Sequence, residues 1–227
     1  MFFIESPAAM AIMILSIVIS LAAQISVKSA YSKYSKVITT RGLTGAAVAQ
    51  MIVQGTGVSV VLHHGGQMSD HFDPRQNMIA LSPEVYSGNS VAALGIAAHE
   101  AGHALQYDKG YFPIKLRNGL LPLAQIGTSI SWPLIMIGLF FSSISFLINL
   151  GIIFFIAALL FQIFTLPVEF NASRRAIAIL SGNAYLTAGE LKGAKTVLSA
   201  AAMTYVAAVI TSLLQLLRLL MLANRRR

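Results

Sequence analysis

The chain has 227 residues, 56% apolar and only 11% charged, with a mean hydropathy of +0.72. Soluble domains carry about 25% charged residues, so these proportions exclude an ordinary soluble globule, and the wealth of Phe, Leu and Ile excludes a disordered chain. The formal charge of +8 would suit nucleic acid, but the basic residues gather beside apolar runs and form no single stripe, so no nucleic-acid partner is expected.

Taken in chain order, Ala8–Val27 is a run of 20 uncharged, mostly apolar residues, long enough at about 1.5 Å per residue to cross the hydrocarbon layer. Ser6 and Pro7 suit its N-cap and first helical position, and Glu5 stands where a signal peptide would be basic, so an uncleaved anchor is expected. The polar segment 28–117 predicts a small folded domain. Thr44 can cap a helix reaching Gln54, ended by Gly55 and Gly57. Val58–Leu62 and Asn77–Ser82 are β-rich runs joined by a loop with Gly65, Gly66 and Asp73-Pro74, which predicts a β-hairpin with a long loop. Ser90 then opens a helix running through Tyr107.

Residues 118–168 contain no charged residue, and 51 residues would make one helix of roughly 75 Å, too long for a single crossing. The run must fold back as a hairpin of spans near 120–141 and 146–166, with Ser142, Ser143, Ser145, Asn149 and Gly151 marking the turn. Residues 169–195 read as a helix and loop, and 196–217 as a fourth apolar span. Eleven Lys and Arg flank the spans on one side (residues 28, 33, 36, 41, 109, 115, 117, 174, 175, 192 and 195), which places those loops in the cytoplasm by the positive-inside rule. Arg218 and Arg225–Arg227 pull the other way unless the last run is re-entrant or interfacial.

The chemistry-bearing residues lie in the Ser90 helix. With no cysteine, any metal here needs His and carboxylate ligands, drawn from five His, five Glu and three Asp. His99-Glu100-Ala101-Gly102-His103 is an H-E-x-x-H pattern. Positions i and i+4 share a helix face, so both imidazoles can point at one ion while Glu100 reaches the metal-activated water as general base. Chance matches at this composition number roughly 0.002, against the bland alternative of two histidines satisfying a helix face. Catalytic zinc wants a third protein ligand and an open position. Glu169, directly after the uncharged run in LPVEFNASRRA, is the preferred candidate, because a carboxylate at a membrane boundary is costly without a partner and the hairpin returns it to the side of the His helix. His63, His64, Asp70, His71 and Asp73 around the strand loop are the other candidates. They read more simply as exposed loop residues, with His71 a candidate oxyanion donor and Asp73 explained by the turn before Pro74. Arg174 and Arg175 read as headgroup or structural anchors, and Tyr107 and Tyr111 take no role.

The runs SDHFDPRQNMIALSPEVYSGNSVAALGIAAHEAGHALQ, LPVEFNASRRA and GAKTVLSAAAMTYVAA resemble the YugP-type family of bacterial membrane neutral zinc metallopeptidases over nearly the whole chain. The resemblance implies a multi-pass zinc peptidase of the bacterial plasma membrane, with one zinc per chain held by His99, His103 and Glu169, and Glu100 as catalytic base. It also implies kinship with membrane gluzincins, whose third-ligand motif runs Glu-x-x-x-Asp. Here Ser173 takes the Asp position, where it can hydrogen-bond a ligand without supplying a second carboxylate.

The expected fold is therefore an α-helical multi-pass membrane protein of about four membrane helices, with a small α+β zincin-like catalytic domain between the first and second spans. The expected function is zinc endopeptidase activity at the cytoplasmic face, on protein or peptide substrates that include membrane proteins, in contact with the bilayer. A substrate strand would add to Asn77–Ser82 if that strand is an edge. The competing readings are a transporter or channel using His and Glu as an ion path, and a catalytically silent zinc-binding scaffold.

Overall fold

The computed structural model describes residues 7–66, 68–141 and 144–224. In order they form α1 (Pro7–Tyr34), α2 (Gly45–Ile52), β1 (Ser59–Leu62), β2 (His71–Asp73), β3 (Met78–Leu81), α3 (Pro83–Tyr86), α4 (Val91–Asp108), α5 (Phe112–Phe140), α6 (Phe146–Gly182) and α7 (Ala188–Asn224). Among the described residues four helices, α1, α5, α6 and α7, are long and apolar enough to cross a membrane, so the chain is a multi-pass helical protein with a small three-stranded sheet. Ser6, Ser142, Ser143 and Arg225–Arg227 lie outside the described residues.

The chain divides into two compact units. The first gathers Met1–Gln24, Leu116–Leu166 and Thr204–Arg227. Lipid is as apolar as the side chains themselves, so helices there associate through close backbone packing and a few polar contacts. Glycines supply the room between α5 and α6. A Cβ on Gly127 would lie 2.7 Å from the Phe154 carbonyl oxygen, and one on Gly151 would lie 2.6 Å from Ile135 Cγ1. The Ser131 hydroxyl donates to the Gly151 carbonyl at 3.0 Å, and Ser212 Oγ donates to Gln162 Oε1 at 2.9 Å. Ile135, Leu139, Ile148, Ile152 and Leu219 form the buried cluster of this unit.

The second unit gathers Ile25–Lys115 and Pro167–Met203. It therefore includes the 169–195 stretch as well as the polar segment that follows the first span. The Thr44 and Ser90 side chains cap α2 and α4, accepting from the N–H groups of Ala47 and Ala93, each at 3.2 Å. Thr187 and Glu190 cap α7 reciprocally, and Glu190 Oε1 also accepts from the Thr40 N–H at 2.6 Å and its hydroxyl at 2.7 Å. Helix α4 is the core element. Its Ala97 and Ala101 pack with Ile79, Leu81 and Val85, while Leu94 and Ala98 pack with Ala176, Leu180 and Leu198.

The sheet differs from the hairpin expected of Val58–Leu62 and Asn77–Ser82. Its order is β1-β3-β2, with β1 parallel to β3 and β2 antiparallel to it. The hairpin is β2–β3, where Asp73 Oδ1 accepts from the Arg75 N–H at 2.8 Å and Asn77 takes a positive φ of 50°. The consecutive apolar residues Ile79, Ala80 and Leu81 are all buried, as a strand flanked on both sides requires. The expectation that Asn77–Ser82 offers an edge for a substrate strand is corrected: β3 is central, and its hydrogen-bonding sides are taken by β1 and β2. Helix α2 is also shorter than expected, ending at Ile52 and not at Gln54.

Candidate metal centre

Helix α4 and the 167–182 part of α6, both in the second unit, make the site. Between the two histidines of α4, Gly102 faces Ala172 of α6, and a Cβ there would stand 2.8 Å from the Ala172 carbonyl oxygen and 3.3 Å from its Cα. Only a residue without a side chain permits this approach, and it sets α6 against the histidine face. Glu169, one turn before Ala172, is then brought to both rings. Its Oε2 lies 3.3 Å from His99 Nε2 and 3.6 Å from His103 Nε2. The two rings meet edge to face with centroids 4.7 Å apart.

One ligand atom from each of His99, His103 and Glu169 lies within 4.8 Å of the others, and among the described residues no other group of three or more His or carboxylates gathers this way. The donor set fits zinc: a tetrahedral ion with bonds near 2.1 Å has ligand edges of about 3.4 Å, close to the two separations above. Two imidazoles and one carboxylate leave a fourth position open. Glu169 is 2% exposed and His103 7%, so neither charge is dispersed by water.

Both rings present Nε2 because Nδ1 is engaged elsewhere. His99 Nδ1 is 3.1 Å from Ser173 Oγ, and His103 Nδ1 is 3.0 Å from Gln106 Oε1. Glu100, next to His99 and buried, has its carboxyl pKa pushed up by burial, with Glu169 and Asp70 adding to the rise and the two histidines opposing it. Burial works against the His103 cation, but its hydrogen bond to Glu169 and the charge of Glu100 outweigh that and raise its pKa in the metal-free chain.

None of the loop candidates belongs to this three-residue group. His71 opens β2, exposed, with Nδ1 2.8 Å from the Ser69 carbonyl and its ring edge-on to His63 at 5.4 Å. Asp70 accepts from the Ser82 N–H at 2.7 Å, and Asp73 serves the β2–β3 turn. Arg174 is exposed, whereas Arg175 is half-buried and donates from Nε to Asn171 Oδ1 at 2.7 Å, with its guanidinium 5.9 Å from the Tyr111 ring centroid. Gln106 and Asn171 took no role in the sequence reading. Their only signal is a polar side chain at i+3 from His103, on the same helix face as the two histidines, and an Asn two residues after Glu169.

With this geometry in place, the comparisons with known proteins define the class: the chain belongs to the zinc metallopeptidase family described as "Putative neutral zinc metallopeptidase", whose family model matches residues 9–224. It is 43% identical over 202 residues to the "Putative membrane protease YugP" of Bacillus subtilis (strain 168), covering 88% of this chain and 89% of that protein. No solved structure matches the chain.

Proposed function

We propose that this protein is an integral-membrane zinc endopeptidase of the bacterial plasma membrane, with one zinc per chain and its active site at the cytoplasmic face. The observation that carries the reading is the convergence of His99 Nε2, His103 Nε2 and a Glu169 oxygen beside the buried Glu100. Zinc held there would lower the pKa of a bound water to about 7 and polarise the scissile carbonyl. The remaining chemistry belongs to the chain. Glu100, made more basic by burial, takes the proton from the water as its oxygen bonds to the carbonyl carbon. It returns that proton to the amine nitrogen as the C–N bond breaks. His99, His103 and Glu169 stay fixed throughout, because each histidine is tied through Nδ1 and Glu169 is buried between them. The substrates are peptide segments of unfolded or membrane proteins, in keeping with a site on a chain that carries four apolar helices.

Elemental analysis of the detergent-purified wild type, Glu100→Gln and Glu169→Gln, paired with cleavage of an unfolded protein, tests the proposal. About one zinc in the first two, loss in the third and cleavage by the wild type alone are expected. Zinc without cleavage in the wild type would favour a scaffold, and absence of zinc would remove the peptidase reading. For topology, the chain has no cysteine, so Gln76→Cys in the exposed β2–β3 turn gives a single label site. Reaction with a membrane-impermeant maleimide only after the cells are permeabilised is expected; labelling of intact cells would reverse the orientation.

A further inference from the structure

The His103 side of the site carries more than a ligand. Gln106 is three residues further along α4 and fully buried, and every polar atom of its side chain is used. Its Nε2 lies 2.8 Å from the Val168 carbonyl oxygen and 3.0 Å from Asn171 Oδ1, while Oε1 faces His103 Nδ1. Asn171 Oδ1 also receives the Arg175 Nε–H at 2.7 Å.

The direction of each bond in this chain is fixed by groups that cannot change role. A backbone carbonyl only accepts and a guanidinium only donates. Arg175 therefore makes the Asn171 atom an oxygen, and that oxygen and the Val168 carbonyl together make the nearer Gln106 atom its NH2. The amide cannot flip without placing two oxygens against each other twice. Its oxygen is left facing His103, so Nδ1 must carry a proton, and in the neutral ring the lone pair sits on Nε2, the atom turned toward Glu169. His99 has no such constraint, since the Ser173 hydroxyl can either donate or accept.

We infer that Arg175, Asn171 and Gln106 form a one-way hydrogen-bond chain that locks His103 in its metal-binding tautomer, with Gln106 and Asn171 as positioning residues for that ligand. The inference rests on the zinc-site reading above. The chain runs from α6 back to α4, so the same side chains also hold the ring plane to the helix that supplies Glu169. Tyr111, under the Arg175 guanidinium, closes the far end.

The test uses the full chain in detergent, with zinc affinity read by competition against a chelator and the ligand field read from the visible bands of the cobalt(II) form. Gln106→Met keeps the volume and removes the amide; about 10- to 100-fold weaker zinc binding is expected, with altered cobalt bands. Asn171→Leu should weaken binding in the same direction. Asn171→Asp keeps an acceptor for both Arg175 and Gln106 and should return affinity to near the wild-type value. Wild-type affinity and spectra in Gln106→Met and Asn171→Leu would overturn the inference, as would an Asn171→Asp protein no better than Asn171→Leu. Nitrogen-15 spectra of the metal-free chain, taken where the ring is neutral, separate this from the function itself. The Nδ1–H form in the wild type and a mixture in Gln106→Met support the lock even if zinc binding fails. A mixture in the wild type sinks the lock while leaving the zinc site standing.

Discussion

Both compact units bring helices together over glycine, but the glycines do different jobs. In the first unit the close approach is spread along α5 and α6, through Gly127, Gly138 and Gly151, with apolar side chains filling in around them. In the second, the approach of α6 to the histidine face of α4 falls on Gly102, which lies between the two histidines. Spread contacts can share a displacement of a few tenths of an ångström. A single contact inside a three-ligand cluster passes it directly to the separations of 3.3 and 3.6 Å between Glu169 and the rings. Glycine in one unit sets helix packing, and in the other it sets the spacing of the candidate metal ligands.

The largest expected effect follows from that contrast. Gly102→Ala drives a methyl against a backbone carbonyl and not against a flexible side chain, so the helices must part. Zinc affinity should fall by about 100-fold or more, at the top of the range seen when metal ligands lose their support. Retained affinity at a chelator-competition readout would show that the approach is not what places Glu169. The partner experiment is Gly151→Ala in the first unit, where overpacking should cost about 1–3 kcal/mol. Thermal denaturation in detergent should register the loss, while the folded protein binds zinc as the wild type does. A matching loss of zinc affinity there would break the comparison.

Much of this architecture is legible from sequence, and the misses have physical reasons. The lengths of the uncharged runs locate four apolar helices, since the hydrocarbon layer fixes how many residues a crossing needs. The H-E-x-x-H spacing and the isolated Glu169 are legible because helical periodicity and the cost of an unpartnered carboxylate act locally. The ends of α6 and α7 are not, because polar residues such as Arg174 and Lys192 continue a helix that leaves the apolar run. The place of β3 is decided by the four residues after Asp73 and by burial on both sides, and alternation alone does not choose between a parallel and an antiparallel neighbour. Gln106 and Asn171 acquire meaning only once α6 faces α4, so no pattern along the chain announces them.

A smaller effect is expected at Ser173, the other tie to the candidate metal ligands. Ser173→Ala removes the oxygen 3.1 Å from His99 Nδ1 but leaves no forced tautomer to lose. Zinc binding should weaken by about 10-fold, near the lower end for such partners, and less than in Gln106→Met. An effect exceeding that of Gln106→Met would mean that His99 is the more constrained ring, and the asymmetry drawn between the two ligands would be reversed.

The smallest expected effect is in pH, and it distinguishes the metal-free from the metal-bound second unit. In the metal-free chain both His103 and Glu100 have pKa values raised above their ordinary ones. The folded state thus binds more protons than the unfolded state, and the associated stability is present at low pH and lost as pH rises through the raised values. Zinc reverses the sign, because the ligand nitrogen must give up its proton before it can bind, so affinity climbs with pH. Melting temperatures of the metal-free protein should therefore drop by a few degrees between about pH 6 and 8, of the size that a change near 1 kcal/mol produces in a chain this long. Those of the zinc-loaded protein should hold or rise over the same interval. Among the described residues the first unit holds no His, Asp or Glu, so Gly151→Ala should lower both curves without changing the way they diverge, and parallel curves in the wild type would separate His103 from the metal site altogether.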